Sequence, residues 1–511
     1  MTASNLDFTK LFAQIWENLD HQHFQFSDAE QTVNNLELKS LALRFADTIN
    51  SNKDLSNSFV VPILVGRRLE TIAAILGSLI VGKAFAPLSN NQPSLRINAC
   101  LDEIGTTFLL NGLGKDEKPS VDAAFLLSKS DQELDLNNVS VSVDEQDLLY
   151  VLFTSGSTGK PKGVLCSHSN ILNTLEWSAD YIDWNEDDCI GVASYFSFDI
   201  AMYDLFIGLY RSVSIHIFDQ PNSKELTLNQ IGQHRVTSIF SVPFFFTQFS
   251  RDDFLDKIKE TPLRRVISGG DFFPPNDLLK WFNSCPKIAL FNVWGPTETS
   301  IVNTMHAITA KDVPLLEAGH GASVGTSHDL MELILIDPDQ QDIIPSTNNQ
   351  GEIAMLGPCV SIGYLHNDQL NSEKYFTYEG KRGFRTGDIG TLEGDNLFIK
   401  ARIGGQVKIG GQRVELAEVE AVVSSMPEVF VSAAFVVEVV EGVKEIWCCI
   451  QPSSAHDGVN IFKLKQRVRE KVPYYMVPKR FFELKNVPLN VNNKIDRKKA
   501  KNMVLENNGK L

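Results

Sequence analysis

The chain has 511 residues, and its 63 acidic and 47 basic residues give a formal net charge of −16 at pH 7. That charge argues against nucleic acid as the main partner, because phosphate backbones are bound through Lys and Arg. Hydrophobic residues make up 43% and charged residues 22% of the sequence, as in soluble globular proteins. The length exceeds one hydrophobic core, so a large domain with a smaller one is expected.

The N-terminus and the cysteines both favour a cytoplasmic protein without a membrane anchor. Residues 1–7 lack the basic and apolar regions of a signal peptide, and no apolar run approaches the ~20 residues of a membrane-spanning helix. The seven cysteines are odd in number and form no CxxC pair, so neither a disulfide framework nor a zinc site is indicated. We expect buried free thiols in a reducing compartment.

Strand and helix patterns alternate along the first part of the chain. Short apolar runs predict strands over residues 59–65, 84–88, 107–110 and 148–153. Helical periodicity predicts helices over residues 36–49, 69–81 and 170–181. Such alternation is typical of an α/β fold with largely parallel sheets. Residues 117–138 are polar and are predicted to be a surface excursion.

The segment directly after the fourth predicted strand is rich in residues that bind phosphate. Its members are small, hydroxylated or basic: Thr154, Ser155, Gly156, Ser157, Thr158, Gly159 and Lys160. Small residues let backbone N–H groups approach an anion, and hydroxyls and lysines add donors and charge. A Walker A loop needs Ser or Thr after the glycine–lysine pair, where Pro161 stands. The segment therefore predicts a phosphate-binding loop of another kind.

A second motif, residues 292–299, follows the apolar run 288–291. Its Gly-Pro turn presents Thr297 and Glu298 at a strand end, where the ligand sites of α/β proteins lie. A threonine there can bond a phosphate and a glutamate can hold Mg²⁺, while Trp294 can stack on a base. Taken alone, the octapeptide is equally explained by a capped turn.

Two further residues indicate a nucleotide site only in combination with the other motifs. Asp388 follows a glycine turn and can accept hydrogen bonds from ribose hydroxyls, as acidic residues do in nucleotide sites. Lys494 stands between the strand-like residues 481–484 and a basic tail, where an isolated lysine is usually solvated. Each of these signals is weak by itself.

A boundary is predicted near residues 401–406. The glycine pairs 404–405 and 410–411 permit large backbone rotations and are compatible with a swivel, but the local sequence alone favours an ordinary β-hairpin turn. A helix is predicted over residues 414–423. Residues 401–511 hold 18 basic and 12 acidic residues, a net charge of +6 against −22 for the remainder.

In combination, these motifs resemble those of the adenylate-forming enzymes, which include acyl-CoA synthetases, luciferases and the adenylation domains of nonribosomal peptide synthetases. The resemblance runs through residues 81–88, 154–163, 198–199, 292–299, 351–365, 386–388, 406–420 and 493–497. It implies an α/β fold with a large N-terminal domain of parallel-rich sheets and packed helices over residues 1–402. A small α+β lid domain over residues 403–511 would rotate between two reaction steps.

The resemblance also implies a chemistry. A carboxylate attacks the α-phosphorus of MgATP, pyrophosphate leaves, and a thiol then attacks the acyl-adenylate to give a thioester. The implied catalytic residues are Lys494, Thr297 and Glu298, with Lys494 bridging the carboxylate and the α-phosphate, Thr297 on the α-phosphate and Glu298 on Mg²⁺. The implied ATP-binding residues are Thr154 to Lys160, Gly270, Asn292, Trp294, Asp388 and Arg402. The family usually has Tyr where Trp294 stands, and Trp keeps a stacking face.

The segment 196–199 indicates the substrate class. In members that activate amino acids, an Asp at the position of Asp199 pairs with the substrate α-ammonium, and a buried carboxylate without that partner would be costly. The pocket positions carried over from the family are Ile200, Tyr203, Phe244, Ile267, Gly269, Val293, Ile301 and Val302. None is charged, so a small or compact aliphatic substrate is expected.

L-Proline is the first choice, since free-standing proline-activating proteins of this kind occur in natural-product pathways, including that of anatoxin. D-Alanine is second, because Phe-Ser-Phe-Asp and the chain length also resemble D-alanine–carrier protein ligases. Valine or isoleucine is third. An acyl-CoA ligase and a nucleotide-binding protein without ligase activity stay open as other classes.

The chain ends at Leu511, about where the C-terminal domain of the family ends. A separate carrier protein bearing phosphopantetheine is therefore the expected source of the thiol, ahead of coenzyme A. Basic residues in the last segment are candidate docking groups for an acidic carrier: Lys463, Lys465, Arg467, Arg469, Lys479 and Arg480. The chain departs from the family at the hinge, where Gly404 replaces an Asp, and at Gly410 and Asn493.

Overall fold

A computed structural model describes residues 6–20, 24–114, 117–122, 126–138, 140–155, 161–250, 254–338, 342–344, 349–394, 396–403, 406–453, 459–488 and 495–508. The chain divides into two compact units. Unit 1 comprises Met1–Asn90, Leu101–Phe153 and Gly163–Ala401, and unit 2 comprises Asn91–Cys100, Thr154–Lys162 and Arg402–Leu511. That residues 403–511 act as a mobile lid stays a prediction.

The strands are β1 Leu6–Asp7, β2 Gln25–Ser27, β3 Thr32–Asn34, β4 Val60–Val65, β5 Ala84–Ser89, β6 Leu109–Gly112, β7 Leu126–Leu127, β8 Val141–Ser142, β9 Leu148–Thr154, β10 Lys162–Ser167, β11 Cys189–Val192, β12 Ser214–Ile217, β13 Ser238–Ser241, β14 Arg265–Gly269, β15 Ala289–Trp294, β16 Thr304–Ala307, β17 Thr326–Ser327, β18 Glu332–Ile336, β19 Ile343–Ile344, β20 Gln350–Leu356, β21 Gly363–Tyr364, β22 Tyr375–Tyr378, β23 Lys381–Glu393, β24 Asn396–Arg402, β25 Gln406–Ile409, β26 Gln412–Glu415, β27 Val429–Val440, β28 Val443–Pro452 and β29 Arg480–Glu483.

The helices are α1 Lys10–Asn18, α2 Asn35–Ser51, α3 Lys53–Asn57, α4 Leu69–Ile80, α5 Ser94–Ile104, α6 His168–Tyr181, α7 Asp199–Arg211, α8 Lys224–Gln233, α9 Pro243–Thr247, α10 Phe254–Ile258, α11 Pro275–Ser284, α12 Val313–Glu317, α13 Asp368–Lys374, α14 Leu416–Ser424, α15 Ile461–Arg469 and α16 Arg497–Asn508.

Unit 1 is built on two large sheets with mostly parallel strands and a smaller antiparallel one. The first runs β21-β10-β9-β5-β4-β6-β7, the second β17-β16-β15-β14-β13-β11-β12-β2-β3, and the third β19-β18-β20-β23-β22 with β24 paired to β23. Every residue of β4 and of α4 is buried, as expected for a parallel strand and a helix packed on both sides. The predicted α/β fold with a large N-terminal domain is confirmed.

Unit 2 contains the hairpin β25–β26 and the three-stranded sheet β27-β28-β29. Gly410 and Gly411 connect the hairpin strands with φ of 55° and 78°, a pair of positive values that favours glycine. This glycine pair is therefore the turn of an ordinary hairpin, which is the alternative that the local sequence favours. Gly404, the predicted hinge residue, lies outside the described residues.

The predicted elements differ from the structure mainly at their ends. The strand predicted at 107–110 is β6, which begins at Leu109 because the Phe108 N–H donates to the Thr106 hydroxyl in a turn at 3.3 Å. The helix predicted from residue 414 begins at Leu416, since residues 412–415 pair with residues 406–409. The polar segment 117–138 contributes the short strand β7.

All seven cysteines are buried and free of disulfides, as expected. Among the described residues, no helix is long and apolar enough to cross a membrane.

Candidate active site

Three neighbouring parallel strands of the nine-stranded sheet end at one edge, which we call the strand-end edge. Strand β13 ends at Ser241, β14 at Gly269 and β15 at Trp294, and Gly269 lies opposite Val293 in the pairing. Such an edge is where α/β proteins bind their ligands. The predicted residues of the second motif therefore lie beside Gly269.

Side chains predicted to bind adenine and ribose contact one another at this edge. The Trp294 indole N–H donates to the Asp388 carboxylate at 3.0 Å, and both residues are buried. The Asn292 amide donates to the carbonyl oxygens of Ser323 at 2.9 Å and Ala322 at 3.4 Å. These hydrogen bonds hold the side chains of Asn292 and Trp294, the two residues predicted to bind the adenine, in fixed orientations.

The turn that carries Asp388 is held by a residue that sequence reasoning missed. Gly387 has φ of 76°, and its N–H donates to a carboxylate oxygen of Glu352 at 3.1 Å. The other oxygen of Glu352 accepts from Arg385 Nε at 2.9 Å. Glu352 lies in the segment 351–365 that carries the family resemblance, and this was the only sequence feature that could have pointed to it.

Thr297 and Asp199 meet directly. The Thr297 hydroxyl donates to Asp199 Oδ2 at 2.5 Å, and Asp199 Oδ1 accepts the N–H of Ile200 at 2.9 Å. Asp199 is the first residue of α7, and Thr297 begins a 3₁₀ turn after the strand-end edge. The residues predicted for the α-phosphate and for the substrate ammonium are thus neighbours.

Glu298 is completely buried, and Tyr364 holds its side chain. The Tyr364 hydroxyl donates to Glu298 Oε1 at 2.6 Å, and the Ser361 N–H donates to the backbone carbonyl of Glu298 at 2.9 Å. Within the described ranges no group of three or more His, Cys, Asp or Glu side chains could hold a metal ion. A single carboxylate fits a Mg²⁺ ion that is held mainly by the phosphates of a nucleotide.

The layer beneath Thr297 contains uncharged titratable groups. The Cys166 thiol lies 3.8 Å from the Thr297 carbonyl oxygen. Burial, with a smaller contribution from the nearby Asp199 carboxylate, raises the pKa of Cys166 to about 12. Burial likewise raises the pKa of Tyr150 well above its ordinary value. These groups stay protonated at neutral pH and add no charge to the site.

Residues predicted to line the substrate pocket converge beside the two glycines that end β14. A Cβ on Gly269 would lie 2.6 Å from Val293 Cγ2, so this glycine has room for no larger residue. A Cβ on Gly270 would lie 3.4 Å from Val242 Cγ1 and 4.0 Å from Ile200 Cδ1. The contacts at this point are therefore apolar, and the assignment of these residues to a substrate pocket stays a prediction.

The other residues predicted for the pocket differ in burial, and their roles stay predictions. Tyr203, Ile267, Ile301 and Val302 are buried in the same core cluster as Ile200 and Val293. Phe244 is 39% exposed on the short helix α9, and the described core clusters do not include it. Two buried residues next to Tyr203, Phe240 and Ser178, were missed, and nothing in their local sequence distinguishes them from ordinary core residues.

The remaining predicted residues belong to unit 2 or lie outside the described residues. Thr154 ends β9, and the Ser155 hydroxyl donates to the Arg413 carbonyl oxygen at 2.7 Å within unit 2. Arg402 ends β24. Gly156 to Lys160 and Lys494 lie outside the described residues, so their roles stay predictions.

Comparisons with known proteins add three findings. The family model described as AMP-binding enzyme matches residues 12–365. The chain is 28% identical over 459 residues to bacitracin synthase 3 of Bacillus licheniformis, covering 87% of this chain but only 7% of that much longer protein. It is 26% identical over 494 residues to a D-alanine–D-alanyl carrier protein ligase of Bacillus velezensis, covering 94% of this chain and 96% of the relative.

Among solved structures, a double mutant of o-succinylbenzoate CoA synthetase from Bacillus subtilis matches with a TM-score of 0.82. The two chains are 22% identical, and the match covers 96% of this chain and 98% of that chain. A likeness at this identity concerns the fold.

Proposed function

The chain belongs to the AMP-binding enzyme family, and we propose that it activates an α-amino acid with ATP. The amino-acid carboxylate displaces pyrophosphate to form an aminoacyl-adenylate, and the phosphopantetheine thiol of a separate carrier protein then displaces AMP to form a thioester. The contact between Thr297 and Asp199 carries the proposal. A phosphate ligand and an ammonium ligand must be neighbours where the carboxylate meets the α-phosphorus.

The first step brings two anions together, so fixed donors and cations must offset their repulsion. In this proposal Lys494 contacts both the carboxylate and the α-phosphate, and the loop from Thr154 to Lys160 binds the β- and γ-phosphates. Asp388 binds the ribose hydroxyls, and the indole N–H of Trp294 orients its carboxylate. Glu298 would hold Mg²⁺, which neutralises charge on the phosphates.

The best candidate substrate is L-proline, because its ring suits a compact apolar pocket. The likeness to a D-alanine–D-alanyl carrier protein ligase over 96% of that relative favours D-alanine as the second candidate. Valine or isoleucine is the third candidate substrate, and an acyl-CoA ligase of the same fold is the alternative activity. An apolar pocket separates substrates by only ~1–3 kcal/mol per methylene, so the residue types do not choose among aliphatic amino acids.

The carrier protein is proposed to dock on basic residues of unit 2, and the structure narrows the choice among six candidates. Arg467 pairs with Glu428, Lys465 donates to the Lys479 carbonyl oxygen at 3.1 Å, and the guanidinium of Arg480 lies 4.7 Å from the Trp447 ring centroid. The side chains of Lys463, Arg469 and Lys479 take part in none of these contacts, and Lys463 and Arg469 are the two to reverse first. If loading kinetics and their salt dependence survive both reversals, this docking assignment is wrong.

One assay tests the proposal. Amino-acid-dependent exchange of labelled pyrophosphate into ATP is measured with every standard amino acid and D-alanine, and we expect one small or compact aliphatic amino acid to stand out. If none of the amino acids supports exchange, the proposal is contradicted, and a nucleotide-binding protein without ligase activity is the remaining interpretation. Thioester formed on coenzyme A, with none on a phosphopantetheinylated carrier, would favour the CoA ligase.

A further inference from the structure

We infer that Phe240 and Ser178 set the size of the amino-acid side chain that the pocket accepts. Phe240 does so by filling the end of the pocket, and Ser178 by fixing the ring of Tyr203. The inference rests on the proposed function and deepens it. Neither residue is among the pocket positions that the family resemblance supplies.

Phe240 is adjacent to three of those positions. It lies on β13, opposite Ile267 on β14. A Cβ on Gly269 would lie 3.3 Å from Phe240 Cε2. The rings of Phe240 and Tyr203 meet edge to face, with centroids 5.5 Å apart and an interplanar angle of 87°. The Phe240 ring therefore occupies space next to Gly269 that a longer substrate side chain would need.

Ser178 acts on the pocket through Tyr203. The Ser178 hydroxyl donates to the Thr174 carbonyl at 2.6 Å, which leaves its oxygen to accept from the Tyr203 hydroxyl at 3.1 Å. Tyr203 is fully buried, and burial raises the pKa of its hydroxyl, so it remains a donor. A buried hydroxyl without a partner is costly, so this bond holds the ring in one position. Ser178 is thus a positioning residue.

With the proposed amino-acid site beside Gly269, these contacts imply a short pocket. Tyr203 and Phe240 form one wall, and Val293 closes against Gly269 on the next strand. Removal of the Phe240 ring lengthens the proposed pocket. Loss of the Ser178–Tyr203 hydrogen bond instead lets the Tyr203 ring move, so the pocket wall is no longer held in one position. The two residues therefore predict different kinetic effects.

The first test compares pyrophosphate exchange by the wild type, Phe240→Leu and Phe240→Ala across the aliphatic amino acids. We expect Phe240→Ala to raise kcat/KM for amino acids one or two methylenes longer than the cognate one, relative to the cognate, by about tenfold or more. Phe206→Leu is the matched control, since Phe206 is equally buried but packs on Phe85. Unchanged selectivity in the Phe240 variants would overturn the inference, and Phe240→Leu serves if Phe240→Ala does not fold.

The second test concerns Ser178→Ala and Tyr203→Phe, which remove the same hydrogen bond. Each is expected to raise KM for the cognate amino acid about fivefold with kcat and the KM for ATP unchanged. The double variant should be no worse than either single variant, because both delete one interaction. Additive effects would overturn the role of Ser178. Absence of exchange in the wild type would instead defeat the proposed function, so the two failures are distinguishable.

Discussion

The two ends of the strand-end edge are built from different interactions. At the end proposed to bind the nucleotide, Asn292 and Trp294 donate hydrogen bonds to a backbone carbonyl and to Asp388. At the end proposed to bind the amino acid, Gly269, Val293 and Phe240 meet through apolar contacts. Hydrogen bonds require particular side chains, whereas apolar contacts require only a volume and a shape.

This difference explains why the cosubstrate is easier to infer than the substrate. The side chains proposed for the ribose and the base, Asp388 and Trp294, stand in sequence motifs. The apolar residues proposed for the amino acid act through volume and shape, which no motif records. The contact of Thr297 with Asp199 joins a residue proposed for the α-phosphate to one proposed for the amino acid.

The largest effect is expected from a residue proposed to contact both the amino acid and the nucleotide. Lys494→Ala is expected to lower the rate of pyrophosphate exchange by about 10³-fold while ATP binding persists, because a fixed positive charge is lost where negative charge accumulates. Stopped-flow exchange assays and equilibrium binding of ATP measure the two quantities. Full exchange by the variant would show that another residue supplies the charge.

A change at Asp199 should break the amino-acid end alone. Asp199→Ala removes the proposed partner of the α-ammonium and is expected to lower kcat/KM for the amino acid by about 10²-fold or more, with the affinity for ATP unchanged. Asp204→Asn is the matched control, because Asp204 is buried on the same helix and burial raises its pKa well above the ordinary value. Equal losses in both variants would assign Asp199 to folding.

A change at Trp294 should affect only the nucleotide end. Trp294→Phe keeps a stacking face but removes the N–H that Asp388 accepts, and a hydrogen bond to a charged group contributes about 1.5–3 kcal/mol. We expect the KM for ATP to rise about tenfold with the ratios among amino acids preserved. Trp281→Phe, which removes an indole bond to the Phe246 carbonyl, is expected to leave the KM for ATP unchanged.

The smallest expected effect concerns Glu298. Tyr364→Phe removes the hydroxyl that orients the carboxylate and is expected to raise the Mg²⁺ concentration for half-maximal exchange about fivefold. Tyr375→Phe removes a neighbouring hydroxyl that contacts Ser361 instead, so it should not move this concentration. The same Mg²⁺ requirement in both variants would contradict the role of Tyr364.

The sequence predicted the parallel core because its elements have unmistakable patterns. The predicted helix 69–81 and strand 84–88 correspond to α4 and β5, in which every residue is buried. The start of β6 depends on a hydrogen bond of Thr106, and the start of α14 depends on the pairing of β26 with β25 in a hairpin. Contacts of that kind have no local periodicity.

The candidate site shows the same limit. Asp388 and Thr297 could be proposed because motifs mark them, whereas the glycine pair at Gly410 fits a hinge and a hairpin alike until the structure shows its turn. Phe240 and Ser178 could not be found, since their roles arise only when β13 and α6 pack against α7. Residues that act through shape become visible only in three dimensions.

Helix α6 connects the pocket to the loop after the strand-end edge. The Thr174 carbonyl accepts from the Ser178 hydroxyl that holds Tyr203, and the Thr174 hydroxyl donates to the Ser300 carbonyl at 2.9 Å. Ser300 and Ile301 follow with φ of 64° and 79°, a conformation that needs outside support. An engineer who seeks a new amino acid should therefore redesign Ser178 and Tyr203 as a pair and leave Thr174 untouched.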